Sequence, residues 1–186
     1  MFWLFSFSNF GSADSFTVSE KTLKNKVTSD VFFSVLDLDT GSLTGAGVQA
    51  GLNFGISERL GLGFLVGHVF TSSGSTLFNQ ISVEAKWALT GNLISPSQTI
   101  SSADLPLVKV DSGSSGGLMV QSYLHEYLVH TSSSVLGYAG VGAGLSYELP
   151  NFGNWNFRLG VRTDYSLRGS SSFFAYQAFG GLAYRF

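Results

Sequence analysis

The sequence predicts an all-β fold, an antiparallel up-and-down β-barrel that crosses a membrane with its strands. Three observations lead there. Apolar residues recur at every second position, as in Ala46, Val48, Ala50, Leu52, Phe54 and Ile56 against Gly45, Gly47, Gln49, Gly51, Asn53 and Gly55, which gives a strand one greasy face and one small or polar face. Of 186 residues, 44% are hydrophobic, 15% aromatic and only 12% charged; soluble domains carry about twice that charge, so a charged surface is not what keeps this chain from aggregating. A transmembrane helix needs roughly 20 consecutive apolar residues, yet the best run, Leu60 to Phe70, is interrupted by His68 and three glycines. With helices excluded, a closed sheet satisfies every backbone group in lipid.

Along the chain, residues 1–25 stand apart. Phe2, Trp3, Leu4, Phe5, Phe7 and Phe10 suit either an interfacial belt or a flexible tail. This stretch lacks a basic n-region and a small-x-small cleavage site, so it does not read as a signal peptide; an exported chain would then have lost its native leader, with Met1 supplied by expression. Residues 26–186 are expected to form a single barrel domain. Within it, Val31 to Leu38 reads as a strand that is apolar on both faces. The alternating segment 45–56 follows; Ser57, Glu58 and Arg59 make a tight connection, and Leu60, Leu62, Phe64 and Val66 resume the pattern.

In the next segment Leu77, Ile81, Val83, Ala85, Trp87 and Leu89 oppose Gln80, Ser82, Glu84 and Lys86. A long connection at 90–117 contains Pro96, Pro106, the run DSGSSGG and a strand-like Leu105 to Val110. If that piece and Phe16 to Ser19 enter the sheet, the barrel has ten strands; otherwise it has eight. Leu118 to Val129 sets His125 beside Glu126, so one polar group faces outward or the strand bulges. Val135, Ala139, Val141, Ala143, Leu145, Tyr147 and Leu149 then alternate with small residues up to a turn at 150–154. After it, Trp155, Phe157, Leu159, Val161, Thr163, Tyr165 and Leu167 oppose Asn156, Arg158, Gly160, Arg162, Asp164 and Ser166. The final strand runs from Phe173 to Phe186.

Orientation is set by placing Phe186 at the periplasmic side, and the long connection at 90–117 then departs from the usual rule of short periplasmic turns. With Phe186 at the periplasmic side, the links at 57–59 and 150–154 are periplasmic, and the Ser-, Thr- and Gly-rich links at 39–42, 71–76, 130–133 and 168–172 face outward. Aromatics then form two girdles on the apolar face: Phe54, Trp87, Tyr147, Trp155, Phe157, Tyr184 and Phe186 below, and Phe70, Tyr127, Tyr165 and Phe174 above. A soluble β-sandwich would use these aromatics as core, but its other face would carry too many glycines and too few charges for water.

The interior face carries the charge. Glu84, Lys86, Glu148, Arg158, Arg162 and Arg185 fall in the periplasmic half, with Asp164 near mid-height. Counting back across the turn sets Arg162 opposite Gly142 and Arg158 opposite Ser146, small residues leaving room for each guanidinium in a bore only wide enough to be filled. The expectation is a plug-like cluster of ion pairs.

The C-terminal FGGLAYRF, with Tyr184 two before the final Phe186, resembles the terminal strand of outer-membrane barrels. AGVGAGLSY at 139–147 and AGVQAGLNFG at 46–55 resemble strands of the small eight-stranded OmpA/OmpX/OmpW-type proteins. The resemblance covers roughly residues 31–186 and leaves out 1–25 and 90–117. It implies a multi-pass protein of a Gram-negative outer membrane, in contact with its lipids and lipopolysaccharide, and recognition of the last strand by the barrel-assembly machinery.

Three roles are then open. A structural or small-solute passage role, porin-like in kind but with a narrow lumen, is the first; OmpW-type resemblance implies a small apolar solute, with Leu136, Tyr138, Phe173 and Phe179 lining its route. The second is a barrel-embedded ester hydrolase. His130-Thr131-Ser132-Ser133 resembles the HxSN element of lipid A deacylases, which would make His130 the base, Ser132 the nucleophile and Glu126 the carboxylate. Ser133 stands where that element has Asn. The third is surface adhesion or binding. A formal net charge of −2 and the lack of a basic tract argue against nucleic acid. With no Cys and no HExxH among three histidines, neither a metal site nor a cofactor is expected.

Overall fold

The computed structural model describes residues 17–23, 25–38, 41–72, 77–91, 93, 95–102, 105–111, 116–131, 133–149 and 154–186. The aromatic stretch at 2–10, Ser132 and most of the 150–154 turn lie outside them. The described chain is all strand and connection: β1 (Thr17–Leu23), β2 (Asn25–Leu38), β3 (Gly41–Gly55), β4 (Leu60–Thr71), β5 (Leu77–Ala88), β6 (Ser95–Ser102), β7 (Leu105–Asp111), β8 (Gly117–His130), β9 (Val135–Glu148), β10 (Trp155–Arg168) and β11 (Ser171–Arg185).

Eight of these close a barrel in the order β10-β11-β2-β3-β4-β5-β8-β9, every pair antiparallel. The ten-stranded alternative is therefore excluded. The strand-like Leu105 to Val110 is indeed extended, but it pairs with β6, and β6 with β1, in a separate three-stranded sheet. Each of these three strands has seven or eight residues, short of the roughly 9 to 11 that crossing a bilayer at a tilt requires.

The seam is made by β11 against β2, from Phe173 opposite Leu38 to Arg185 opposite Lys26. Asn25 and Phe186 exchange backbone hydrogen bonds of 3.4 and 3.0 Å at one rim. That rim, called here the terminal end, also takes the connections at 56–59, 89–116 and 149–154. The remaining connections lie at the far end.

Period-two burial is strict on most strands, as in β2, where Lys26, Thr28, Asp30, Phe32, Ser34 and Leu36 face in while Val27, Val31 and Phe33 face out. The outer wall is mainly apolar: Leu52, Phe64, Val83, Leu124, Val141, Leu159 and Val161 are all exposed. Monomeric soluble proteins rarely show apolar patches beyond a few hundred Å², and a wall of this kind is stable in hydrocarbon.

Two expectations need correction. The β9–β10 hairpin is shifted by two residues, so Arg158 lies opposite Glu148 and Arg162 opposite Gly144. Alternation determines which face a residue takes, and a two-residue slip preserves it, so periodicity alone does not settle pairing. Tyr127 belongs to no girdle. It faces the lumen and is fully buried, because β8 runs without a bulge and turns His125 inward and Glu126 outward. An interior position also gives its hydroxyl a partner, Asp164.

Candidate functional site

The lumen is the candidate site. Among the described residues nine charged side chains point into it, Lys26, Asp30, Glu84, Lys86, Glu148, Arg158, Arg162, Asp164 and Arg185, none more than 4% exposed. Each sits at an inward parity of its strand, so the strand pattern alone delivers it there.

At the terminal end Glu148 of β9 gathers three partners. Lys26 Nζ lies 2.7 and 2.5 Å from its two carboxylate oxygens, Asn156 Nδ2 donates to Oε2 at 3.2 Å and Arg185 Nη2 donates to Oε2 at 3.4 Å. Two of these donors come from either side of the seam, so the polar interaction joins the first and last barrel strands. Above it, Lys86 pairs with Glu84 on its own strand at 3.3 Å. Arg158 Nε reaches Asp30 Oδ1 at 3.3 Å, with the guanidinium 4.9 Å over the Phe179 ring. Gln49 donates to the other oxygen of Asp30 at 2.9 Å.

At mid-height Asp164 is the acceptor. Arg162 Nε donates to Oδ1 and Tyr127 Oη to Oδ2, both at 2.7 Å. Gln177 donates to the Tyr127 hydroxyl at 3.0 Å, and His125 Nε2 lies 2.8 Å from Ser166 Oγ. The Arg162 guanidinium stacks 3.8 Å over Tyr123 and reaches Ser82; with its amide oxygen turned toward Arg162, Gln80 accepts from both terminal nitrogens. Buried charges are tolerated when paired and hydrogen-bonded; Glu148 and Asp164 meet both conditions, whereas Lys86–Glu84 and Arg158–Asp30 are ion pairs whose Nζ, Nε and Glu84 oxygens make no hydrogen bond among the described residues.

The far end is closed differently. Phe32, Leu36, Val69, Phe78, Tyr127, Val129, Phe173 and Phe179 pack into one apolar cluster, with Leu38, Leu43, Leu136 and Tyr138 against it. Phe173 meets Tyr127 and Tyr138 edge-on, at centroid distances of 5.4 and 5.2 Å. At the terminal end Leu93 folds back over the opening. Its backbone nitrogen donates to Glu58 O at 2.7 Å and its side chain packs with Ala88 and Met119. From rim to rim the bore is occupied by apolar stopper, ionic network and aromatic lid.

The chain is similar to neisserial surface protein A. That crystal structure aligns over 89% of this chain and 99% of its own, with a TM-score of 0.61 and 13% identity, and at this identity the likeness extends to the fold. Pseudomonas aeruginosa OprG aligns over 89% of this chain and 97% of its own, at a TM-score of 0.44 and 9% identity. Yersinia pestis Ail aligns over 87% and 99%, at 0.43 and 8%. No protein-family model matches the sequence, and no curated protein does.

The seven lumen charges read from the sequence all face inward, and their closest contacts are made pair by pair. Glu148 and Arg185 meet each other, as do Glu84 and Lys86, and Arg162 and Asp164. Arg158 pairs instead with Asp30, and the closest partner of Glu148 is Lys26. Those two were missed, although Lys26, Thr28 and Asp30 alternate with Val27, Ser29 and Val31 and so extend the strand pattern upstream. Phe173 and Phe179 are buried in the lid, with Leu136 and Tyr138 half-buried beside it.

Of the residues considered for ester hydrolysis, Ser132 lies outside the described residues and the other two lie away from the lumen. Glu126 and His130 both face outward on β8, four residues and thus about 13 Å apart along the strand, with Leu128 between them. His130 Nε2 accepts from Asn79 Nδ2 at 2.8 Å. Among the described residues no group of His, Cys, Asp and Glu is arranged to hold a metal ion.

Proposed function

We propose that the protein is an outer-membrane barrel of a Gram-negative bacterium, with the terminal end in the periplasm, and that its role is structural: a rigid, closed cylinder that anchors its rim segments in the membrane. The occupation of the bore by buried side chains from Leu93 to the Phe78–Phe173 lid carries this reading. Porins with an aqueous channel have about 16–18 strands, whereas about eight leave a bore that side chains fill. The C-terminal strand supports the membrane placement, because Tyr184 and Phe186 both face outward near the rim, where barrel-assembly machinery would meet them. Lipopolysaccharide would then surround the far end.

Planar-bilayer recording of the refolded protein tests this. Insertion is expected without steady single-channel steps. Stepwise conductance of porin size from the unaltered chain would overturn the structural role, and failure to enter detergent micelles or bilayers would overturn the membrane placement itself.

A further inference from the structure

The outer wall is mainly apolar; beside Ser29, Ser122 and Thr163 and the Asp37–Ser42 pair close to the far rim, one sector carries a linked polar chain. On β4, β5 and β8, three outward residues form a hydrogen-bonded chain across neighbouring strands: His68 Nδ1 to Asn79 Oδ1 at 2.6 Å, and Asn79 Nδ2 to His130 Nε2 at 2.8 Å. Below His130 on the same face stands Glu126, exposed. Its carboxylate leans toward the far end, over Gly137 of β9, where a Cβ would stand 2.6 Å from Oε1. A lipid-facing wall gains nothing from such groups if hydrocarbon is all they meet.

Their height says what they meet. On β5 the outward residues from Trp87 through Ala85, Val83 and Ile81 are apolar before Asn79 is reached. Eight residues at about 3.4 Å, tilted about 40°, rise roughly 20 Å above the lower aromatic girdle, near the outer edge of an apolar band about 25 Å tall. Phe70, an exposed aromatic of the upper girdle, packs edge-on against His68 at 4.4 Å, and aromatics of this kind sit at headgroup level.

The bonding pattern identifies the headgroup. The amide of Asn79 fixes both imidazoles: its oxygen only accepts, so His68 carries its proton on Nδ1, and its nitrogen only donates, so Nε2 of His130 is bare. What remains for a ligand is an acceptor on His68 (Nε2), a donor on His130 (Nδ1–H) and the acceptor carboxylate of Glu126. Among the described residues of β4, β5, β8 and β9, no Lys or Arg faces outward. A phosphate, which only accepts and is anionic, would find one donor and a nearby carboxylate. A sugar, whose hydroxyls both donate and accept, matches all three positions. We infer that the His68–Asn79–His130 chain with Glu126 is a docking site for the uncharged saccharide headgroup of an outer-leaflet glycolipid. This rests on the membrane placement proposed above.

The test uses the full chain in nanodiscs of phosphatidylcholine containing, as a minor component with the same acyl chains, either glucosyl diacylglycerol or phosphatidylglycerol. Native mass spectrometry after release counts the lipid retained, and imidazole Cε1–Hε1 spectra report on His68 and His130. Retention of the glucosyl lipid at least about fivefold over phosphatidylglycerol is expected, the effect of one ordinary net hydrogen bond, with its addition shifting both imidazole resonances. Asn79→Leu, which suits a lipid-facing site and leaves the lumen untouched, is expected to abolish the preference. Equal retention of both lipids, preference for phosphatidylglycerol, or a dimer that dissociates in Asn79→Leu would each overturn the inference while leaving the barrel in its membrane. Failure to insert at all would remove both readings.

Discussion

Arg158 and Asp30 meet across a glycine. One rung of the sheet runs Asp30, Gly181, Arg158 and Glu148 over four neighbouring strands, and the ion pair forms over Gly181, where no side chain intervenes. Each ion sits almost wholly out of solvent, so neither tolerates loss of the other.

Asp30→Leu alone is accordingly expected to lower the unfolding free energy by about 3–5 kcal/mol, the usual cost of stranding a buried charge. Replacing both partners, in Asp30→Leu with Arg158→Met, is expected to recover most of that loss. Urea titration of refolded protein, run as a double-mutant cycle, measures both. A recovery of nothing would mean that the two side chains are energetically independent.

Gly181→Ala tests the same rung from its middle. A Cβ at this position would meet the carbonyl oxygen of Ser29 and Oδ1 of Asp30, and because the first of these is backbone the strand itself must shift. A loss of about 1–3 kcal/mol is expected, as for other overpacked interiors. Gly169 is the control: its φ of +60° strains any other residue, yet nothing stands within 4 Å of a Cβ there, so Gly169→Ala should cost about 1–2 kcal/mol from conformation alone and leave the Arg158 environment unchanged in NMR spectra.

Tyr127→Phe removes a donor to Asp164 and an acceptor from Gln177 while keeping the ring in the lid. The expected cost is about 1–3 kcal/mol, that of an unsatisfied buried group, read from the urea midpoint. A girdle tyrosine exposed to lipid would show almost none.

Arginine on the outer wall should report depth. Val161 lies mid-way along β10 and Leu167 near its far end, both exposed. In lipid vesicles Val161→Arg is expected to cost about 2–4 kcal/mol and Leu167→Arg about 0–1 kcal/mol. Equal effects would contradict a bilayer centred on this strand.

The strands that could be read from sequence are those whose two faces differ in chemistry. In β10 and in β3 from Gly45 onward the inward residues are glycines and polar groups while the outward ones are mainly greasy, so parity shows at once. The contrast fails where the lumen itself is apolar. Phe32 and Leu36 face in while Val31, Phe33 and Val35 face out, and this is why Val31 to Leu38 looked apolar on both faces. In β8 the inward Tyr127 and Val129 are no more polar than the outward Leu124 and Leu128, so only the chemistry of His125 and Glu126 was available, and it pointed both ways. Pairing across sequence distance was harder still: the Arg158–Asp30 bond depends on the β11–β2 closure, and the β1–β6–β7 sheet joins segments more than 70 residues apart, which no local pattern encodes.

The seam between β2 and β11 has a kinetic meaning. Because the earliest barrel strand must find the latest one, both stay as open ribbons with unshared amides while everything between them is made. Closure is therefore a late, long-range event, slow by the ordinary dependence of folding on sequence separation, and a chain held short of β11 would keep two sticky edges available to any neighbour.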